Sequence, residues 1–258
     1  MNYLIKLRLA AGFVVIALFF CLQISVLAGI GTTKLWDDQK QFYTMQNARY
    51  IGGLLVLGGI LAHSKADGEI QYWYQANYKN ESRDDFSRIV KSFGGGKETL
   101  PIYLGIWGVG HLFTKNKMVA PMREWSAFSL RMILIGAPPT VMLQRILGAS
   151  RPTENDSHWR PFKDDNAVSG HAFMGAVPFL AAAKMMEPPV LKFGFYAAST
   201  LTSWSRIHDN KHYFSQVLMG WAMACLSSYS LQKDRESKMV FFLKPGIANW
   251  SAGVRLLF

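Results

Sequence analysis

The chain has 258 residues, of which 50% are hydrophobic, and 28 Lys and Arg against 17 Asp and Glu give a formal net charge of +11 at pH 7. This length fits one helical domain, or one domain with a tail, and the basic balance suits anionic lipid headgroups or nucleic acid. A nucleic-acid partner is not expected, because no basic cluster carries interleaved aromatic side chains. Cys21 and Cys225 both lie in apolar runs, which argues against a disulfide framework and against a catalytic cysteine.

The N-terminal segment is first basic and then apolar. Lys6 and Arg8 precede an apolar run from Leu9 to Gly31, which only Gln23 and Ser25 interrupt. This pattern predicts a secretory signal peptide or an uncleaved membrane anchor over residues 1–31. Under either interpretation the chain leaves the cytoplasm for the cell envelope.

The middle of the chain predicts helices. Residues 32–49 are polar and aromatic and predict a short surface helix. Periodic or apolar segments predict further helices over residues 50–63, 65–93, 100–113, 124–147, 169–186, 190–206 and 213–231. The run 50–63 is short for a membrane span, which needs about 20 residues. Pro101 suits the first turn of its helix, and the Pro138-Pro139 pair should bend the helix 124–147.

The connections and the C-terminus complete the predicted architecture. Gly94-Gly95-Gly96 lacks the Lys-Ser/Thr of a P-loop and predicts a flexible turn. The polar loop 148–168 is of the long irregular kind that often carries function. Two short β-like runs between Met239 and Phe258 predict a docked tail. The fold class is therefore all-α: a helical bundle over residues 50–232, with a C-terminal tail over residues 233–258.

Three short polar motifs stand out between Gln144 and Gln216. They are Arg151-Pro152, Ser169-Gly170-His171, and Ser205-Arg206 followed by His212. An Arg guanidinium matches phosphate oxygens, and His can attack phosphorus or protonate a leaving oxygen. A Ser-Gly turn that opens a helix offers backbone N–H groups to an anion. The motifs together indicate a phosphate site.

These motifs resemble the signature of the type-2 phosphatidic acid phosphatase (PAP2) superfamily, which also contains bacterial acid phosphatases and vanadium haloperoxidases. That signature is Lys-x6-Arg-Pro, Pro-Ser-Gly-His and Ser-Arg-x5-His-x3-Asp. The chain has the same order and spacing, with three departures: Gln144 stands for Lys, Val168 for Pro and Gln216 for Asp. The resemblance implies a PAP2-like helical bundle.

The resemblance also implies roles for individual residues. His212 would attack phosphorus and form a phosphohistidine, and His171 would protonate the leaving group. The phosphate oxygens would be held by Arg151, Arg206, Ser169 and the Gly170 N–H. No metal or cofactor is expected, because the arginines already neutralise the transferred group. The other histidines, among them His208, are expected to be caps or surface residues.

The two glutamines leave the activity open. Gln216 can accept the Nδ1 proton of the nucleophile but supplies no negative charge, and Gln144 supplies no phosphate-binding cation. Asp209, Asp164 or Asp165 could replace the missing carboxylate. Arg145 lies about 100° round the helix from Gln144 and could replace the lysine only if the helix end unwinds.

Alternating helix directions place the ends that carry the motifs on one side of the bundle. The opposite side receives an excess of basic residues, namely Lys184, Lys192, Lys233, Arg235 and Lys238. In a membrane this excess marks the cytoplasmic side, so the site would face the periplasm. We weigh a membrane-embedded or membrane-associated chain above a soluble one, although the mean hydropathy is only slightly positive.

The expected function is hydrolysis of a lipid phosphate or pyrophosphate. The apolar helices around the site favour a lipid over a soluble substrate. The alternative is a catalytically impaired relative that binds phospholipid or a partner in the cell envelope. A vanadium haloperoxidase is a third, weaker interpretation, because the chain is short and strongly apolar. Neither the individual lipid nor the oligomeric state follows from the sequence.

Overall fold

The computed structural model describes residues 32–114, 116, 118–231, 238–245 and 250–257. Its helices are α1 (Thr32–Phe42), α2 (Met45–His63), α3 (Ala66–Asn77), α4 (Glu81–Ser92), α5 (Gly96–Leu112), α6 (Ala120–Leu147), α7 (Gly170–Met185), α8 (Pro189–Ala198), α9 (Leu201–His208) and α10 (Phe214–Ser230). The predicted all-α class is confirmed. The predicted signal or anchor, residues 1–31, lies outside the described residues, and the domain boundaries at 50 and 232 stay a prediction.

Helices α6, α7 and α10 form the centre of the bundle. Their buried side chains share one core, which includes Met132, Ile135, Phe173, Leu180 and Met223. Small residues let the helix backbones approach closely. A Cβ added at Gly136 of α6 would lie 2.0 Å from the Ser227 hydroxyl of α10. The core therefore fixes the three helices whose ends carry the polar motifs.

Helix α1 lies at the surface with Trp36 exposed, as predicted for residues 32–49, but it ends at Phe42 and one of its faces is docked on the bundle. Its Asp38 accepts hydrogen bonds from Nε (2.6 Å) and Nη2 (2.5 Å) of Arg131 in α6. Both side chains are buried, at 2% and 3% exposure. Charges are buried only when they are paired, and no local pattern in the sequence links two partners that are 93 positions apart.

Several predicted helix bounds were wrong. The segment 65–93 divides at Asn80, whose side chain caps α4 by accepting from the Arg83 N–H (3.1 Å). The segment 190–206 divides where the Ser199 and Thr200 hydroxyls donate to carbonyls three residues earlier, at 2.6 and 2.7 Å. Such local bonds compete with the helical ladder. Pro101 lies in the second turn of its helix, because α5 already begins at Gly96.

Helix α6 continues through Pro138 and Pro139, and a side chain from another part of the chain replaces one of the helical hydrogen bonds that the prolines cannot make. Pro139 has no N–H for the carbonyl of Ile135, and the Tyr43 hydroxyl donates to that carbonyl instead (3.4 Å). Among the described residues, α6 is the one helix long and apolar enough to cross a membrane, and 61% of its most apolar window is buried. A buried core helix meets the same criteria, so this is weak evidence of membrane association.

The C-terminal tail contains two strands, β1 (Lys238–Pro245) and β2 (Trp250–Leu257). They pair antiparallel, with Lys238 opposite Leu257 and Pro245 opposite Trp250. The two predicted β-like runs, residues 240–243 and 253–258, overlap these strands, although both strands begin earlier than predicted. Docking of the tail onto the bundle stays a prediction.

Candidate active site

The end of α9 explains the five-residue spacing between Arg206 and His212. The helix stops in a Schellman-like turn: Asn210 adopts a left-handed conformation (φ 54°), which Asn tolerates better than most residues. The carbonyl of Arg206 accepts from the N–H groups of Lys211 (2.9 Å) and His212 (3.3 Å). This tight turn brings the imidazole back beside the arginine that precedes it.

Gln216 lies in the first turn of α10 and fixes the tautomer of His212. Its Oε1 lies 2.9 Å from His212 Nδ1 and accepts from the Tyr213 N–H (3.2 Å), while its Nε2 donates to the Ser150 carbonyl (2.9 Å). A backbone N–H only donates and a carbonyl only accepts, so these two partners determine which end of the amide is oxygen. His212 Nδ1 must therefore carry the hydrogen. In the neutral ring the lone pair is then on Nε2.

The Ser-Gly-His turn is bonded to the same residue. The Ser169 N–H donates to the Gln216 carbonyl (2.9 Å), and the Ser169 hydroxyl caps α7 by accepting from the Ala172 N–H (3.3 Å). A Cβ added at Gly220 would lie 2.2 Å from the Ser169 carbonyl oxygen, so that glycine allows α7 and α10 to meet here. The N-terminus of α7, with His171 in its first turn, is thereby held beside His212.

Gln144 also reaches the turn. Its Nε2 donates to the carbonyl of Val168 (2.8 Å), and a Cβ added at Gly170 would lie 3.0 Å from the same nitrogen. Helix α6 stays intact through Leu147, and Arg145 is exposed. The unwinding that would bring Arg145 into the place of the missing lysine does not occur.

The two arginines differ in burial. Arg206 is 7% exposed, and its Nε is buried without a hydrogen-bond partner among the described residues. Arg151 is exposed, and its Nε donates to the Asn166 side chain (3.1 Å). A buried guanidinium with an unused donor is costly unless an anion completes it. This arrangement is suited to binding a phosphate.

The electrostatics of the two imidazoles depend on residues from all three motifs. Burial, with the charges of Arg206, Arg151 and His171, lowers the pKa of His212 to about 3 against the opposing effect of the Gln216 hydrogen bond. Burial also lowers the pKa of His171, as do the charges of Arg206, Lys91 and Arg151, while Glu98 raises it. His212 is thus neutral at almost any working pH, with a lone pair available for attack.

Comparison with known families agrees with this geometry. Residues 127–237 match the family model of the PAP2 superfamily. This match, over 111 of the 258 residues, supports membership of the PAP2 superfamily. No match was found among curated proteins or among solved structures. The predicted resemblance is confirmed, and PAP2 membership indicates chemistry of the phosphatase type.

None of the suggested replacement carboxylates occupies the position of the PAP2 aspartate. The partner of His212 Nδ1 is Gln216. Asp209 instead accepts from the Ser87 hydroxyl (2.8 Å), and Asp164 accepts from the Ser150 hydroxyl (3.0 Å). Asp165 is exposed, and no contact to His212 is seen for it in the described part of the chain.

Helix α3, which precedes the matched PAP2 region, holds the loop that carries His212. Asp67 accepts from the Ser215 N–H (2.9 Å) and the Ser215 hydroxyl at the start of α10. One turn later, Gln71 donates to the Ile207 carbonyl (3.1 Å) and to the Asn210 side chain (2.7 Å). These positioning residues were missed in the sequence, where only their spacing of four residues on one helix face hinted at a shared partner.

His208 is fully buried, which corrects its assignment as a cap or surface residue. Its Nε2 lies 2.7 Å from Asp84 of α4, and its Nδ1 lies 3.1 Å from the Tyr74 hydroxyl of α3. The ring also stacks on Trp204 at 4.9 Å. This cluster ties α9 to α3 and α4, and so supports the turn that leads to His212.

Proposed function

We propose that the chain is a phosphatase that hydrolyses a lipid phosphate or pyrophosphate through a phosphohistidine, without a metal. The observation that carries the proposal is the Gln216 amide, which holds His212 as the Nδ1–H tautomer with Nε2 free. If Gln216 were only an aspartate that had lost its charge, nothing would require its amide to hold His212 in this orientation. Here the neutral amide retains the orienting role of an aspartate.

The proposed reaction has two steps. The lone pair of His212 Nε2 attacks phosphorus, the bond to the leaving oxygen breaks, and protonated His171 gives its proton to that oxygen. Water then attacks the phosphohistidine, neutral His171 takes a proton from it, and the N–P bond breaks to release phosphate. Arg206, Arg151, Ser169 and the Gly170 N–H hold the phosphoryl oxygens throughout.

Exposed apolar surface supports a lipid substrate. A groove of about 550 Å³ between α2 and α10 is lined mainly by apolar and aromatic side chains, among them Leu54, Leu57, Cys225 and Leu226. Its nearest lining residue on α10, Ala222, is eight residues after Phe214, the first residue of that helix, or about 12 Å at the rise of a helix. This distance is within the length of an acyl chain.

We propose that the protein acts in the cell envelope, associated with the membrane, with its site towards the periplasm.

Trapping of a ³²P-labelled enzyme with a lipid phosphate tests this proposal. Wild type should carry acid-labile label, and His212→Ala should carry none. Purified wild type should also hydrolyse p-nitrophenyl phosphate or at least one member of a panel of phosphatidate, phosphatidylglycerol phosphate, isoprenoid pyrophosphate and lipid A phosphate. Absence of turnover, with His212→Ala indistinguishable from wild type, rejects it.

A second candidate is a catalytically impaired PAP2 protein that binds phospholipid or a partner. It is favoured by Gln144, whose amide is bonded to the Val168 carbonyl and brings no charge to a phosphate. Restoring both family residues, Gln144→Lys with Gln216→Asp, separates the two. A large gain from a near-zero base indicates a decayed enzyme, whereas an active wild type with no gain indicates an adapted one.

A further inference from the structure

The turn that follows α4 lies against His171, although it precedes the matched PAP2 region. A Cβ added at Gly94 would be 2.7 Å from the carbonyl oxygen of His171 and 3.0 Å from its Cβ. The Gly94 N–H donates to the Lys91 carbonyl (2.9 Å), and the Val90 carbonyl accepts from the Thr202 hydroxyl (2.8 Å). The backbone of Lys91 is therefore fixed next to the proposed general acid.

The side chain of Lys91 points to the same carboxylate as the buried arginine. Its Nζ lies 3.9 Å from Asp209 Oδ2, and Arg206 Nη1 lies 3.9 Å from the same oxygen. Because both nitrogens lie 3.9 Å from the same oxygen, Lys91 Nζ and Arg206 Nη1 are at most twice that distance apart. Asp209 is held by Ser87, one turn before Lys91 on α4, through a 2.8 Å hydrogen bond.

We propose that Lys91 is a phosphate-binding residue that supplies from α4 the positive charge that Gln144 lacks. The assignment rests on the proposed function of the site. The Lys91 side chain is 43% exposed, so the ammonium can leave Asp209 for an incoming phosphoryl oxygen without breaking a buried pair. Lysine suits this role because its flexible stem carries a compact charge with three donors.

Two further observations support the assignment. The charge of Lys91 acts on His171, whose pKa it helps to lower. The position of the family lysine also brings no cation to the site, because Gln144 donates to a backbone carbonyl and Arg145 is exposed on an intact helix. The competing explanation is structural: Lys91 would only neutralise Asp209 and so hold Arg206 in place.

Lys91→Gln tests the assignment, with Arg88→Gln as the matched control. Arg88 lies one turn earlier on the same helix, is 72% exposed and pairs with Asp85, so its loss removes the same charge away from the site. We expect Lys91→Gln to raise the KM for p-nitrophenyl phosphate and the dissociation constant of inorganic phosphate roughly tenfold or more. Arg88→Gln should change both less than twofold.

A lysine placed at position 144, where the PAP2 signature has one, distinguishes a phosphate-binding role of Lys91 from a structural one. Adding Gln144→Lys to Lys91→Gln should restore most of the phosphate affinity, because the cation again faces the phosphoryl group. A purely structural role for Lys91 predicts no rescue, since Gln144 does not contact Asp209. Lack of rescue, or a Lys91→Gln protein that matches the Arg88→Gln control, overturns the assignment.

Phosphate binding measured by ³¹P NMR titration needs no turnover, so it tests Lys91 even in an inactive protein. A wild-type protein that binds phosphate through Lys91 but hydrolyses nothing overturns the proposed phosphatase and leaves the Lys91 assignment standing. Hydrolysis that requires His212 but is indifferent to Lys91 overturns the Lys91 assignment and leaves the phosphatase standing.

Discussion

Gln216→Asp puts a negative charge beside His212 and should move the acid limb of the pH profile. The amide oxygen of Gln216 lies 2.9 Å from His212 Nδ1, and burial holds the pKa of His212 at about 3. Two unit charges about 4 Å apart interact by roughly 4 kcal/mol at an effective dielectric constant of 20, and about 1.4 kcal/mol corresponds to one pKa unit. The carboxylate should therefore raise the pKa of His212 by roughly two to three units.

The sign of the kinetic effect follows from the role of the ring. The neutral imidazole attacks, so kcat/KM falls as the pH drops through the pKa of His212 in the free enzyme. Wild type should keep its kcat/KM down to about pH 4, whereas Gln216→Asp should lose it below a pH of roughly 5 to 6. A quenched p-nitrophenyl phosphate assay between pH 3 and 9 measures both limbs, and ¹⁵N NMR of the imidazoles reports the same pKa without turnover.

Gln216→Leu separates orientation from charge. In a serine protease, replacement of the orienting Asp by Asn costs about 10⁴ in rate because the histidine takes the wrong tautomer. Gln216 already enforces the correct one, so Gln216→Asp should raise kcat by far less than that factor, while Gln216→Leu should lose rate heavily. If Gln216→Leu keeps the wild-type kcat, the tautomer argument is refuted. If the acid limbs of wild type and Gln216→Asp coincide, the predicted effect of the charge on the pKa of His212 is refuted.

Three further predictions concern His171 and the packing around the site. The lowered pKa of His171 means that the general acid is deprotonated early, so kcat/KM should fall with rising pH from a midpoint below 6.5, and His171→Ala should remove this limb. Asp67→Ala should lower stability by roughly 1–2 kcal/mol and reduce kcat more than it raises KM, since the residue caps α10 without touching substrate. Gly220→Ala should push the Ser169 carbonyl and cost about 1–3 kcal/mol, measured by thermal unfolding. The control Gly53→Ala, inside α2 with open space around it, should instead stabilise the protein by up to about 1 kcal/mol.

The sequence predicted the elements that carry the site better than the elements around it. The motif spacing was informative because it reflects local geometry. Arg-x5-His corresponds to a helix end followed by a left-handed Asn, where the chain turns back. Ser-Gly-His corresponds to a capped helix start. Such features depend on residues within a few positions of one another. Helix α6 was also predicted to within about a turn of its true start, because a long apolar run leaves few alternatives.

Long-range partners account for most of what the sequence could not show. The buried Asp38–Arg131 pair and the contact of Asp67 with Ser215 join segments 93 and 148 positions apart. Nothing in local periodicity pairs one carboxylate with one distant donor. Lys91 is a similar case, because an isolated lysine on an amphipathic helix is usually solvated.

The two glutamines are better understood as one coupled change than as two separate losses. Relative to the PAP2 signature, Gln144 removes one positive charge and Gln216 removes one negative charge, so these two substitutions cancel in net charge. Lys91 does not disturb this balance, because it lies beside its own counter-charge, Asp209. Gln144 alone would weaken binding of a phosphate dianion, and Gln216 alone would leave the site with an excess positive charge that further disfavours a protonated His212. Because both amides also make hydrogen bonds to backbone groups of the site, at 2.8 and 2.9 Å, the geometry survives the loss of charge. A site that decayed without constraint would have no reason to keep both the charge balance and the bonds, and this is the physical argument for an adapted enzyme over an impaired one.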